Sequence, residues 1–137
     1  MKMLLGEYSP NLTDGSRLAL PKKLREQIDE DTVILTKGFE PCIFLYAYSD
    51  WLNETAKHME NSITEHTTRD LKRYMYSSAS DVSIDGQGRL VVPPMLLEYA
   101  SITKETSLIG AGDHIEIWNP NNWMHYIESV SKNLAKL

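Results

Sequence analysis

The sequence predicts an α+β, strand-rich fold made of two pseudo-symmetric copies of one unit, and three observations carry that prediction. The first is an internal repeat. Sliding the 137-residue chain against itself by 72 positions sets Leu12 on Ile84, Arg17 on Arg89, Leu18 on Leu90, Leu20 on Val92, Pro21 on Pro93 and Leu24 on Leu96. The same shift sets Ile43 on Ile115, Leu45 on Ile117, Tyr46 on Trp118 and Trp51 on Trp123, while Val33–Leu35 and Leu108–Ile109 match only with a small gap. Arginine, proline and tryptophan coinciding in one register is harder to reach by chance than shared aliphatics, and a fixed period marks a repeated architecture. The second observation is a set of short apolar runs bounded by Asp-Gly and glycine-rich turns, the pattern of short strands. The third is that each copy closes on a segment of helical period. The expected boundaries are 5–61 for the first copy, 62–76 for a helical connection and 77–137 for the second copy. A unit of about 55–60 residues makes a poor core alone. Mutual burial of the two copies in one compact body is therefore expected.

Each copy opens on a short strand, Tyr8–Leu12 or Asp81–Ile84. A turn follows, "TDGSR" or "DGQGR", with residues that tolerate the positive φ of tight hairpins. The next strands, "RLAL" and "RLVVP", suit a half-buried pleated surface, the second through its β-branched residues. Proline then ends the strand and opens a short helix, because it lacks an N–H and presets a helical φ. Leu24 with Ile28, and Leu96 with Ala100, are four apart and share one helical face. Two further strands follow in each copy, "TVILTKG" with "CIFLYAY" and "TSLIGAG" with "HIEIW". In the last, Ile115 and Ile117 alternate with His114 and Glu116. The first copy closes on a helix starting near Ser49–Asp50, both good capping residues. A helix over "TTRDLKRYMYSS" bridges to the second copy. The last helix starts at Asn119, with Pro120 in its first position. There Trp123, Ile127, Val130 and Leu134 form one apolar stripe, fit to pack on the chain itself or on a neighbouring subunit.

The composition, 42% hydrophobic and 24% charged, is that of a globular protein. No apolar run approaches the roughly 20 residues of a membrane span, and "MKMLLGEYSP" carries no signal-type cleavage pattern. A cytoplasmic protein, with no membrane partner, is expected. Cys42 is the single cysteine, which excludes an intrachain disulfide and a cysteine-rich zinc site. It reads as a small buried hydrophobe. The histidines His58, His66, His114 and His125 show no metal-ligand spacing, and "DGQG" lacks the remaining ligands of a calcium loop. No P-loop, G-x-S-x-G or H-E-x-x-H appears. No catalytic residue, cofactor, metal or small-molecule substrate is expected.

The net charge of −5 argues at first against nucleic acid. The charges are segregated, however. Gly15 to Arg25 carries Arg17, Lys22, Lys23 and Arg25 with no acid, whereas Asp50 to Asp81 carries six acids against four cations. A basic face on an acidic molecule is compatible with phosphate binding. For "DGQGR" two readings stand: a hairpin turn with a solvated arginine, or an arginine held by Asp85 to meet a phosphate or a guanine edge. The recurrence of Arg17 and Arg89 before Leu-x-aliphatic-Pro favours the second.

These tandem Asp-x-x-Gly-Arg motifs, with "CIFLYAYSDW" and "IEIWNPNNW", resemble the MraZ family of bacterial transcriptional regulators over nearly the whole chain. The second copy matches in full with Asp85, Gly88 and Arg89. The first departs: Thr13 takes the aspartate position and Ser16 the glycine position, Arg17 is kept, and Asp14 stands one residue later as a substitute carboxylate. The resemblance implies two SpoVT/AbrB-type swapped-hairpin half-barrels with short helices, in a ring-like homo-oligomer. It implies a cytoplasmic, nucleoid-associated protein that binds double-stranded promoter DNA at short repeats upstream of a division and cell-wall gene cluster that includes its own gene. On that reading Arg17 and Arg89 are the DNA-binding candidates, supported by Asp14, Asp85 and Gly88. Lys22, Lys23 and Arg25 add phosphate contacts. The second copy has Pro94, Met95 and Leu97 at those three positions, so the first copy is expected to face DNA more directly. The alternative is an antitoxin-like protein-interaction module without specific DNA readout. A further alternative confines the Arg89 guanidinium to Asp85 and a subunit interface.

Overall fold

The computed structural model describes residues 2–60 and 64–137. The end of the expected first copy, Asn61, and the start of the expected connection, Ser62 and Ile63, lie outside the described residues. In chain order the elements are β1 Glu7–Tyr8, β2 Arg17–Ala19, α1 Lys22–Ile28, β3 Thr32–Lys37, β4 Ile43–Ala47, α2 Tyr48–His58 and α3 His66–Ser78. They continue with β5 Ser80–Ser83, β6 Arg89–Val91, α4 Pro94–Tyr99, β7 Ser107–Gly110, β8 Ile115–Trp118 and α5 Pro120–Leu134.

The repeat in the sequence is a repeat in space. One antiparallel sheet has the order β1-β7-β8-β4-β3-β5, and a two-stranded ribbon pairs β2 with β6. Each copy supplies a hairpin, β3–β4 or β7–β8, and the hairpins meet at the β4–β8 seam. Each copy's first strand crosses to the other: β1 pairs β7, Glu7 opposite Ile109. The β5 strand likewise pairs β3, Val33 opposite Val82. At the seam Ile43 faces Ile117, Leu45 faces Ile115 and Phe44 faces Glu116. In the ribbon Leu18 faces Leu90. Residues 72 apart are thus exchanged about a pseudo-two-fold axis running between Phe44 and Glu116 and between Leu18 and Leu90.

Alternation splits the side chains into two cores. Val33, Leu35, Ile43, Leu45, Leu108, Ile115 and Ile117 join an aliphatic cluster with Leu18 and Leu90 of the ribbon, Leu24 and Ile28 of α1, and Leu96 and Ala100 of α4. Burying each such side chain is worth about 1.5–3 kcal/mol. Ile34, Phe44, Tyr46 and Trp118 point the other way and meet Trp51 of α2, Met75 of α3 and Trp123 of α5. With both faces covered, β4 is apolar at every position, as a doubly buried strand must be. Cys42 is buried in this second core, as expected.

Several expectations shift. The first strand is Glu7–Tyr8 rather than Tyr8–Leu12, because Pro10 has no N–H to continue the ladder. Beyond it only isolated bridges remain, Asn11 with Glu105 and Thr13 with Arg17. The strand expected at Asp81–Ile84 is Ser80–Ser83; the Ile84 N–H still continues its register one step, to the carbonyl of Asp31 at 2.7 Å. The α2 helix starts at Tyr48, so Ser49 and Asp50 are helical rather than caps. In the apolar stripe of α5 only Trp123 is buried; Ile127 is 36% and Leu134 59% exposed. Among the described residues no helix is long and apolar enough to cross a membrane.

Candidate nucleic-acid interface

The ribbon places the two motif arginines. Arg17 lies opposite Val91, and Arg89 opposite Ala19. The pairing runs one step further each way, from Leu20 N–H to the Gly88 carbonyl at 3.0 Å and from Val92 N–H to the Ser16 carbonyl at 2.9 Å. Leu18 and Leu90 point into the core. By the period of two, Arg17, Ala19, Arg89 and Val91 stand on the outer face, where Val91 is 45% exposed.

The turns that launch these strands differ. In the second, Asp85 organises everything: one carboxylate oxygen accepts the N–H groups of Gln87 at 2.8 Å and Arg89 at 2.9 Å. The other takes Arg89 Nε–H at 3.0 Å. The Arg89 backbone N–H above all holds the Asp85 carboxyl below its usual range; desolvation opposes it, and the Gln87 N–H and the Arg89 guanidinium add to the lowering. Gly88 takes φ +77°, and the space a Cβ would fill there is occupied by the Arg25 guanidinium. In the first turn Thr13 and Arg17 exchange backbone hydrogen bonds of 2.9 and 3.3 Å. Gly15 (φ 78°) and Ser16 (φ 59°) are both left-handed, so Ser16 adopts the conformation for which Gly88 is suited. The expected carboxylate support from Asp14 is replaced by its backbone: Arg17 Nη1–H donates to the Asp14 carbonyl at 2.9 Å. A three-residue loop brings that carbonyl, not the side chain, under the guanidinium.

The structure brings Arg17 and Arg89 together. Both line one open groove with Leu12, Thr13, Asp14 and Lys104. The three cations of α1 lie elsewhere. Lys22 is exposed, 3.8 Å from Glu26. Lys23 borders a recess with Met3, Leu5 and Tyr8. Arg25 lies over Gly88, in a groove with Asp29, Glu30, Asp31 and Asp85. Lys104 escaped the sequence reading because it falls where the repeat needs a gap. Its carbonyl takes the Leu12 N–H at 2.7 Å, the same bond that the Asp31 carbonyl takes from Ile84. Among the described residues no group of His, Cys, Asp and Glu is arranged to hold a metal ion.

A paired ribbon with outward arginines between two polar turns displays two guanidinium groups beside Lys104 on one open surface. A family model described as "MraZ protein, putative antitoxin-like" matches the chain twice, over residues 3–74 and 75–136. The chain belongs to the MraZ family. A relative from Clostridium acetobutylicum named "Transcriptional regulator MraZ" is 41% identical over 127 residues, covering 93% of this chain and 89% of its own length. Relatives of that name from Dictyoglomus thermophilum and Finegoldia magna are 36% and 37% identical, each over 98% of this chain and 93% and 94% of their own. The two MraZ matches agree with the two-fold repetition of the turn–ribbon–helix unit in this structure.

Proposed function

We propose that this protein is a DNA-binding transcriptional regulator without catalytic activity, whose β2–β6 ribbon meets the duplex with Arg17 and Arg89. The observation that carries the reading is the outward display of both arginines on a two-stranded ribbon, since the major groove of B-DNA is wide enough for such a ribbon and arginine pairs with guanine O6 and N7 there. The names of the relatives support it. Lys22 and Lys23 then serve as phosphate contacts flanking the ribbon, while Arg25 is held over Gly88 among the carboxylates of its own groove. Working from the nucleoid, the protein regulates its own division and cell-wall gene cluster through short promoter repeats. It acts as a homo-oligomer, ring-like as the resemblance implies, because one ribbon holds too few contacts for tight specific binding and multivalency supplies the rest.

The test is a mobility-shift titration against duplexes that the protein itself selects from a random pool, at fixed salt. Arg17→Ala and Arg89→Ala each weaken binding, by about 1–3 kcal/mol where the arginine reads a base, with thermal unfolding unchanged. Lys22→Ala with Lys23→Ala weakens selected and unselected duplexes alike. If both arginine variants bind as the parent does, the ribbon is not the reader. An alternative reading as a protein-interaction module draws on the exposed Ile127 and Leu134 of α5; it predicts that both arginine variants leave complex formation intact.

A further inference from the structure

The pseudo-two-fold axis relates the two turns, and so relates the grooves beside them. Their charges are opposite. The groove at the first turn carries Arg17, Arg89 and Lys104 against Asp14. The groove at the second carries Asp29, Glu30, Asp31 and Asp85 against Arg25. The inversion is sharpest at one pair of equivalent positions: Lys104 and Asp31 hold the same backbone bond to the strand leading into each turn, and they bear charges of opposite sign.

We infer that DNA lies on one side of the ribbon only, with Lys104 gripping a backbone phosphate beside Arg17, while Asp29 and Asp31 turn the backbone away on the mirrored side. The inference rests on the DNA-binding reading above and adds a direction to it. A ribbon with equal flanks fits a duplex in two opposed orientations at nearly equal energy. Here one orientation sets a phosphate strand against an ammonium and two guanidinium groups. The other sets it against carboxylates, and repulsion between like charges near a surface is large enough to select between them. Glu30 is already engaged by Lys2 and Ser49, so the repelling groups are Asp29 and Asp31, both exposed.

The test uses the full chain and a duplex of mixed sequence, about 30 base pairs long, in a salt titration. Lys104→Ala makes the fall of log affinity with log salt shallower by about 0.9, the value of one released counterion, and Lys104→Arg restores it. Asp31→Lys, which gives the mirrored side the cation it lacks, steepens the slope by a similar amount. The inference is overturned if Lys104→Ala leaves the slope unchanged while Arg17→Ala lowers it, or if Asp31→Lys leaves it unchanged; in both cases the ribbon remains the reader. If Arg17→Ala, Arg89→Ala and Lys104→Ala all leave affinity and slope unchanged, the DNA-binding reading itself falls.

Discussion

Gly88 and Ser16 show how one backbone conformation is met by two residues. Both are left-handed, with φ of +77° and 59°. A side chain in that region costs an L-residue roughly 1–2 kcal/mol, a cost glycine escapes. Ser16→Gly should therefore stabilise the protein by about 0.5–1 kcal/mol, after the greater freedom of glycine in the unfolded chain is subtracted. Gly88→Ala should destabilise it by about 1–2 kcal/mol, since its methyl must also displace the Arg25 guanidinium. Urea unfolding measures both; equal effects of either sign would refute the strain argument. His114 offers a second test. Its ring stacks on Tyr46 at 5.1 Å and lies 2.9 Å from Glu116 and 2.7 Å from Asp113. Burial alone would lower its pKa, but hydrogen bonds to Glu116 and then Asp113 outweigh it and raise the value above 6.5. Burial likewise opposes the ionised Glu116, and the bonds from His114 and Trp118 overcome it, leaving its pKa below 4.5. The histidine's contribution is thus complete below 6.5 and fades as pH rises through its folded pKa. That of Glu116 is complete above 4.5 and fades as pH falls through its own. The urea midpoint should decline as pH rises above 6.5 in the parent and decline less in His114→Gln.

Among the elements, helix starts separate what was legible in the sequence from what was not. The start of α5 was legible because its cap is local: the Asn119 side chain accepts from the N–H groups of Asn121 at 2.8 Å and Asn122 at 3.1 Å. The start of α2 was not, because its cap comes from a distant loop: Glu30 accepts from the Ser49 N–H at 3.0 Å and its hydroxyl at 2.6 Å. A carboxylate there meets the unpaired N–H groups and the positive end of the helix. Glu30→Ala should accordingly cost about 1 kcal/mol and loosen α2, as hydrogen exchange at Ser49 to Leu52 would show; unchanged protection would refute the cap. The same distinction holds at the ribbon. Arg17 and Arg89 were legible as repeated letters in one register. Lys104 was not, because pairing with Leu12 across the two copies is a tertiary fact that falls outside that register. The stripe of α5 was legible as a pattern, but its burial depended on a sheet that reaches only as far as Trp123.

At the scale of the whole molecule, α5 is anchored at Trp123, whose indole N–H donates to Glu7 at 2.9 Å, with the Tyr126 ring still 5.0 Å from that of Trp118. Past that anchor the helix shows Met124 at 64%, Ile127 at 36% and Leu134 at 59% exposure. A contiguous apolar face of this kind marks a surface for association. Light scattering should give a mass that is a multiple of 15.7 kDa, and Ile127→Glu with Leu134→Glu should lower it without loss of helix signal. A monomeric parent would remove the multivalent mechanism. The crossed first strands carry a consequence of another kind, for how the chain is made. Strand β1 leaves the ribosome first, yet its partner is β7, with Glu7 opposite Ile109. Contacts so far apart in sequence form slowly and late. Strand β7 must be synthesised before β1 can be placed, so a nascent chain halted short of Ser107 holds β1 unpaired, within reach of chaperones and proteases.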